Sequence, residues 1–147
     1  MSITFFSPQA PDVLKNSYPC QCTYANETPS AKCYYCAGTG VHKFYGKENE
    51  INLSNTNAVM MMRHLGLRNL GVVMKAEEVP VVLRRIMRLL NTEVPGDEAV
   101  APTAQVGAKG ATLIDAGREA GYVTERLRWF QDLFKEAADN GWEVTWG

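Results

Sequence analysis

The alternation of hydrophobic and polar residues along this chain predicts short β-strands near both of its ends. Strands are expected where apolar residues form a brief run or alternate with polar ones. Because the first and last of these segments lie at opposite ends of the sequence, we expect the terminal strands to pair. The patterns occupy residues 3–6, 41–45, 50–53, 112–115 and 142–146.

Three segments between the strands have the 3.6-residue period of amphipathic helices. The first is expected to begin at residues 54–55, whose side chains can accept hydrogen bonds from the free amides of the first turn, and to end at Gly66. The second spans residues 77–91 and the third spans residues 119–140. Strands near both ends and helices between them predict a single α+β domain over residues 1–147.

Two polar features of the helical part are candidates for function. Arg84, Arg85 and Arg88 take the side of the second helix opposite its apolar stripe. A solvated helix face is the simplest interpretation of this basic cluster, and a grip on phosphate or on an acidic partner is the alternative. Asp115, at the end of a predicted strand, is expected to cap the third helix instead of serving as a catalytic carboxylate.

Two other segments have neither a helical nor a strand period. Residues 8–40 are rich in Pro, Ser, Asn, Thr and Gly, so something other than a hydrophobic core must organise them. Residues 92–110 contain Pro, Gly and Ala and are predicted to form a mobile surface loop.

All four cysteines of the chain lie in the first of these segments, in the pattern C-x-C-x10-C-x2-C. Zn²⁺ prefers a tetrahedral set of thiolates, and in a tight Cys-x-x-Cys turn two sulfurs can converge on one ion. Gly38 follows at a position where the backbone often needs a positive φ. The pattern predicts a zinc-knuckle excursion over residues 18–42, in which a structural zinc ion is held by Cys20, Cys22, Cys33 and Cys36.

Other roles for the four cysteines stay open on the sequence alone. They could be core residues, pair as two disulfides, or bind iron or an iron–sulfur cluster. The N-terminal residues lack the basic segment and apolar run of an export signal, so a reducing cytoplasm is the expected compartment, and disulfides are rare there. No apolar run approaches the roughly 18 to 20 residues that cross a bilayer, so no membrane partner is expected.

The stretch CYYCAGTG, residues 33–40, resembles one C-x-x-C-x-G-x-G repeat of the cysteine-rich zinc region in DnaJ-type chaperones. The resemblance implies a zinc knuckle. Those chaperones carry several copies of the repeat, whereas this chain has one copy partnered by a C-x-C pair. It also has no histidine–proline–aspartate signature, so no chaperone activity is implied. The remainder, with its NLSNTNA and WEVTWG segments, resembles small bacterial or phage proteins of unassigned function.

A closed set of four thiolates predicts a binding protein instead of an enzyme. A catalytic zinc keeps one position for water beside three protein ligands. The chain has no H-E-x-x-H, P-loop, G-x-S-x-G or dinucleotide motif. An open site would use only three of the candidate ligands, and His42 could be one of them, although an ordinary strand histidine is the favoured interpretation. A small zinc-dependent enzyme therefore stays as an alternative.

A protein partner is the leading expectation, contacted through the basic helix face, residues 92–110 or the zinc excursion. The net charge of −1 gives the whole molecule no bias toward nucleic acid or anionic membranes. Nucleic-acid binding is the alternative, in which Tyr34 and Tyr35 stack on bases while Lys32 and Lys43 contact phosphate.

Overall fold

The computed structural model has an α+β fold, as predicted, with three helices and eight strands in the part of the chain that it describes. The described residues are 2–23, 29, 31–68, 71–106, 112–115 and 117–147. In chain order the elements are β1 (Ser2–Phe6), β2 (Asp12–Pro19), β3 (Val41–Lys47), β4 (Ile51–Ser54), α1 (Asn55–Leu65), β5 (Val72–Met74), α2 (Val79–Leu90), β6 (Thr103–Val106), β7 (Thr112–Asp115), α3 (Tyr122–Asn140) and β8 (Val144–Trp146).

Four of the strands form an antiparallel sheet in the order β4-β1-β8-β5. Phe5 of β1 pairs with Ile51 of β4 on one side and with Trp146 of β8 on the other. The predicted pairing of the terminal strands is confirmed. The edge strand β5 was not predicted, because three residues are too few to show a period.

Alternate residues of this sheet enter a hydrophobic core that the three helices complete. The ring of Phe5 meets the ring of Phe130 on α3 edge to face, with 4.9 Å between centroids. Helix α1 contacts β1 and β4, and α2 packs mainly on α3. None of the described helices is both long and apolar enough to cross a bilayer. Fully buried core residues include Phe5, Ala58, Met61, Val79, Ile86, Val123, Leu127, Phe130, Leu133, Phe134, Ala137 and Val144.

Helix α1 ends where the sequence predicted, but it is not capped at its start as predicted. Gly66 follows the helix with φ 76°, a left-handed conformation that glycine adopts without penalty, so the predicted helix end is confirmed. At the other end the side chain of Ser54 makes no capping hydrogen bond, so the predicted cap is wrong. Ser54 is also the last residue of β4, where its extended backbone pairs with Ser2.

The cap of α3 comes from a residue that sequence reasoning missed. Asp115 lies in β7, and the helix begins only at Tyr122, so the prediction that Asp115 caps it is wrong. Asp97 supplies the cap: its Oδ1 accepts hydrogen bonds from the amides of Val123 at 2.7 Å and Thr124 at 3.0 Å. Because this carboxylate is distant in sequence, no local capping pattern indicates it.

Strands β2 and β3 form a separate two-stranded antiparallel ribbon. Together with the cysteine turns at its tip we call it the zinc ribbon, after the metal that the sequence predicts there. The sequence predicted β3 but not β2, since most β2 side chains are exposed and no core imposes alternation on them. The ribbon leaves the body after β1 and returns at β4. At its base Lys47 Nζ pairs with Asp12 Oδ1 at 3.0 Å, and Asn49 Nδ2 donates to Glu136 Oε2 at 2.8 Å.

A second hairpin corrects the prediction for residues 92–110. Residues Thr103–Val106 form β6, which pairs in antiparallel register with β7 from Thr103 opposite Asp115 to Val106 opposite Thr112. The prediction of a loop did not foresee this strand, because the Pro, Gly and Ala residues around it leave the segment as a whole without a period. Residues 107–110 of that prediction lie outside the described residues.

Candidate metal centre

The tip of the zinc ribbon brings the two cysteine pairs together. Pro19, the last residue of β2, pairs with Val41, the first residue of β3. Beyond this pair the amide of Cys20 donates to the carbonyl of Gly40 at 2.9 Å. Backbone pairing therefore continues as far as the first cysteine. A single 3-10 turn over Gln21–Thr23 then carries the second cysteine.

Two cysteine turns have the same hydrogen-bond pattern. The carbonyl of Cys20 accepts from the amide of Thr23 at 2.9 Å and from its hydroxyl at 2.7 Å. The carbonyl of Cys36 accepts from the amide and hydroxyl of Thr39 at the same two distances. Each turn thus satisfies the carbonyl of its buried cysteine with one threonine, three residues on. Thr23 and Thr39 are site residues that the sequence analysis missed, and the shared Cys-to-Thr spacing is the signal that indicates them.

The four sulfurs lie within 4.8 Å of one another. Cys20 Sγ is 3.6 Å from Cys33 Sγ, and Cys22 Sγ is 3.5 Å from Cys36 Sγ. A tetrahedral ion with Zn–S bonds of about 2.3 Å separates its sulfurs by about 3.8 Å. The observed spacing therefore suits one tetrahedral metal ion, and Cys20 and Cys36 are almost fully buried, at 3% and 5% exposure.

The backbone around the cluster favours thiolate over thiol at one position. Amide groups of Cys36 and then Tyr35 hold the pKa of the Cys33 thiol at about 7, below its ordinary value of 9.0. At Cys20 the amide of Cys22 lowers the pKa, but desolvation and the thiols of Cys33 and Cys36 leave the pKa raised overall. A cationic ion among the sulfurs removes this conflict, because metal ligation stabilises all the deprotonated forms.

Glycine is required in the second turn for two reasons. Gly38 has φ 84°, as the sequence predicted, and a Cβ on it would come within 3.1 Å of the backbone of Ala31. Gly40 has φ 74°, and a Cβ there would lie only 2.8 Å from Pro29 Cγ. The chain before the second cysteine pair therefore packs directly on the turn that follows it.

His42 lies beside the cysteine cluster but outside it. The candidate ligands that the described residues bring together are the four cysteines alone. The His42 ring instead contacts the rings of Phe44 at 4.1 Å, Tyr35 at 5.2 Å and Tyr18 at 5.6 Å between centroids. Tyr35 in turn meets Tyr34 edge to face at 5.5 Å. We call these five rings the aromatic face of the ribbon.

One of the two lysines named in the sequence analysis, Lys43, is not placed as expected. Lys43 pairs with Ser17 in the ribbon register, on the opposite side from the aromatic face. Lys32 is exposed in the cysteine turn. A lysine that was not predicted lies on the side of the aromatic face. Gly46 is two residues from Phe44 in β3, so both residues face the same side of the ribbon. The Cγ and Cε atoms of Lys15 lie 3.1 Å from the point where a Cβ on Gly46 would stand.

The basic face of α2 has a structural contact. Arg84, Arg85 and Arg88 are exposed, which confirms a solvated helix face. Arg85 Nε also donates to the carbonyl of His64 at 2.6 Å, near the end of α1. This arginine therefore satisfies one of the carbonyls that a helix end leaves without an intrahelical partner.

Comparisons of the chain with protein-family models, with curated proteins and with solved structures find no match. The resemblance of residues 33–40 to a chaperone repeat therefore stays an expectation from the sequence. The chemistry of the site itself carries the functional argument.

Proposed function

We propose that the protein is a non-enzymatic binding module whose ribbon is folded by a structural Zn²⁺ on Cys20, Cys22, Cys33 and Cys36. The observation that carries this proposal is the convergence of all four sulfurs within 4.8 Å at the tip of an exposed ribbon. The hydrophobic core cluster includes no residue of the ribbon. A metal ion supplies the stabilisation that burial does not supply there.

A structural role is favoured over a catalytic one because the ligand set is complete. Four thiolates fill a tetrahedral shell and leave no position for a water molecule. His42 is engaged with aromatic rings, and no carboxylate of the described residues joins the sulfurs. The proposed role of the ion is to fix the two cysteine turns, and through them the side chains that the turns display.

A binding role is supported by what the ribbon exposes. Large hydrophobic side chains with more than a third of their surface exposed are concentrated there, and a patch of this kind on a soluble protein commonly marks an interaction site. The sequence favours a protein partner, with nucleic acid as the alternative. The exposed large hydrophobic residues of the ribbon are Leu14, Tyr18, Tyr34, Tyr35, Val41, Phe44 and Tyr45.

The test is the metal content of the natively purified protein, measured by mass spectrometry together with the intact mass of the denatured chain. We expect one zinc per chain and four free thiols. Co²⁺ exchanged into the site should give the absorption of a tetrahedral four-thiolate complex.

Two variants define the site further. Cys36→Ser should abolish stoichiometric zinc, because a hydroxyl is a poor substitute for a buried thiolate ligand. His42→Asn should keep one zinc and an unchanged cobalt spectrum. A changed spectrum in His42→Asn would support the zinc-enzyme alternative, iron in the native protein would replace zinc in the proposal, and a mass four hydrogens short would indicate two disulfides.

A further inference from the structure

We infer that the aromatic face of the zinc ribbon binds single-stranded nucleic acid by stacking bases on its exposed rings. The inference rests on the proposed structural zinc, which holds Tyr34 and Tyr35 in place beside the strands. It names the partner of that binding module. The five rings concerned are Tyr18, Tyr34, Tyr35, His42 and Phe44.

The rings form a continuous surface from the ribbon into the cysteine turn. Phe44 contacts His42 at 4.1 Å, His42 contacts Tyr35 at 5.2 Å, and Tyr35 contacts Tyr34 at 5.5 Å between centroids. Tyr18 stacks on Phe44 at 4.7 Å from the neighbouring strand. Bases of an extended single strand can stack on successive rings, because every base has a π-face.

The rings are open to solvent despite their mutual contacts. Tyr34 is 94% exposed and Tyr35 is 63% exposed, although each is held between two metal-ligand cysteines of one tight turn. An aromatic side chain that exposed on a constrained turn contributes little to the stability of the fold. It is placed to gain contacts from a partner instead.

The chemistry of the face favours bases over an apolar protein segment. The register puts the exposed aliphatic side chains of the ribbon, Leu14 and Val41, on the opposite side, with Tyr45 and Pro19. The aromatic face itself carries the rings, together with Asn16 and the half-buried Val13. Single-stranded nucleic-acid sites combine stacking rings of this kind with basic groups.

Charge complements the rings at the two ends of the face. Lys15 lies along the ribbon beside Gly46, where the Glu50 carboxylate is also close, and Lys32 stands beside Cys33 in the cysteine turn. Neither lysine forms an ion pair with a carboxylate of the described residues, while Lys47 at the base is paired with Asp12. A zinc ion with four thiolates carries a net charge of −2, so stacking, more than charge, must supply the affinity.

The experiment measures fluorescence anisotropy of labelled oligo-dT and oligo-rU, each about 12 nucleotides long, with the zinc-loaded full-length protein. We expect saturable binding of a single-stranded probe. With only two lysines near phosphate, the logarithm of the binding constant should fall with the logarithm of salt concentration with a slope of about −1.4.

Matched tyrosine variants separate the aromatic face from the rest of the ribbon. Tyr34→Ala should weaken binding by about fivefold or more, as expected for the loss of one stacked base. Tyr45→Ala is the control, because Tyr45 is 62% exposed on the side of β3 opposite His42 and Phe44. Lys15→Gln should weaken binding and reduce the salt slope, and Lys43→Gln on the opposite side should have a much smaller effect.

Measuring the zinc content of each variant distinguishes a failure of the nucleic-acid inference from a failure of the proposed structural zinc. A zinc-loaded protein that binds neither probe overturns the nucleic-acid inference, leaves the structural zinc intact and returns the aromatic face to a protein partner. Equal loss of binding in Tyr34→Ala and Tyr45→Ala would also overturn it. A chain without metal contradicts the proposed function itself, whatever the oligonucleotides show.

Discussion

Asp97 shows how a single side chain can organise a distant helix. Its two carboxylate oxygens accept hydrogen bonds from the amides of Val123 and Thr124 and from the Thr124 hydroxyl. Desolvation raises the pKa of Asp97, but these hydrogen bonds outweigh it and hold the pKa below its ordinary value of 3.8. The ionised form of Asp97 is therefore the one that stabilises α3.

We predict that Asp97→Ala lowers the free energy of unfolding by about 1 kcal/mol at neutral pH, because the first turn of α3 loses its cap. The measurement is urea denaturation followed by circular dichroism. The contribution of the carboxylate should be fully present above pH 3.8 and lost as the pH falls through the lowered pKa.

Asp97→Asn is the matched control for this residue. Its amide oxygen keeps an acceptor at the cap but cannot titrate, so most of the stability at neutral pH should remain while the acid-dependent part disappears. Equal stability of Asp97→Ala and the unaltered protein at neutral pH would contradict the assignment of the cap.

At the scale of elements, the cysteine cluster and the hydrophobic core belong to different parts of the chain. The zinc ribbon depends on its backbone pairing and on the cysteine cluster, whereas the helices and main sheet share the core. Structural zinc binding is linked to folding, because the unfolded segment has no preformed site.

We predict that removal of the metal with a chelator unfolds the cysteine turns and frays the ribbon while the three helices remain. Amide hydrogen exchange should quicken across residues 19–23 and 31–42, and the helical circular dichroism signal should change little. Re-addition of Zn²⁺ should restore protection. Loss of the helical signal at the same chelator concentration would show that the ribbon and the body unfold as one unit.

The same division explains what the sequence could predict. Helices α1 and α3 and the terminal strands were predictable because burial in the core imposes a period on their side chains and glycine ends both helices. The cysteine cluster was predictable from ligand chemistry and spacing. Strand β2 and the aromatic face were not. β2 is organised by strand pairing and not by burial, and Tyr18 and Phe44 come together only through the ribbon register.

At the scale of the whole molecule, the core joins both ends of the chain to the helices. Phe130 on α3 is fully buried and packs on Phe5 and Phe134. These residues come from the first strand and the last helix, so a cavity among them weakens the body as a whole.

We predict that Phe130→Ala lowers the free energy of unfolding by about 3–5 kcal/mol, through lost burial and an unfilled cavity. Cobalt binding to the cysteines of the folded variant should keep its four-thiolate spectrum, since no ribbon residue belongs to the core cluster. The measurements are urea denaturation and a Co²⁺ titration. Phe130→Leu removes less volume and should destabilise the protein less. Weakened Co²⁺ binding in both variants would contradict the independence of the ribbon from the hydrophobic core.

The place where the ribbon leaves the body has a consequence for how such a chain could arise. β1 and β4 are direct neighbours, with Phe5 opposite Ile51, so the ends of the intervening segment are already as close as the two arms of a hairpin. A short turn would close the body without disturbing any core contact. The zinc ribbon is in this sense an insertion at the tip of a hairpin. Evolution or an engineer could exchange it, shorten it or insert it between another pair of antiparallel strands.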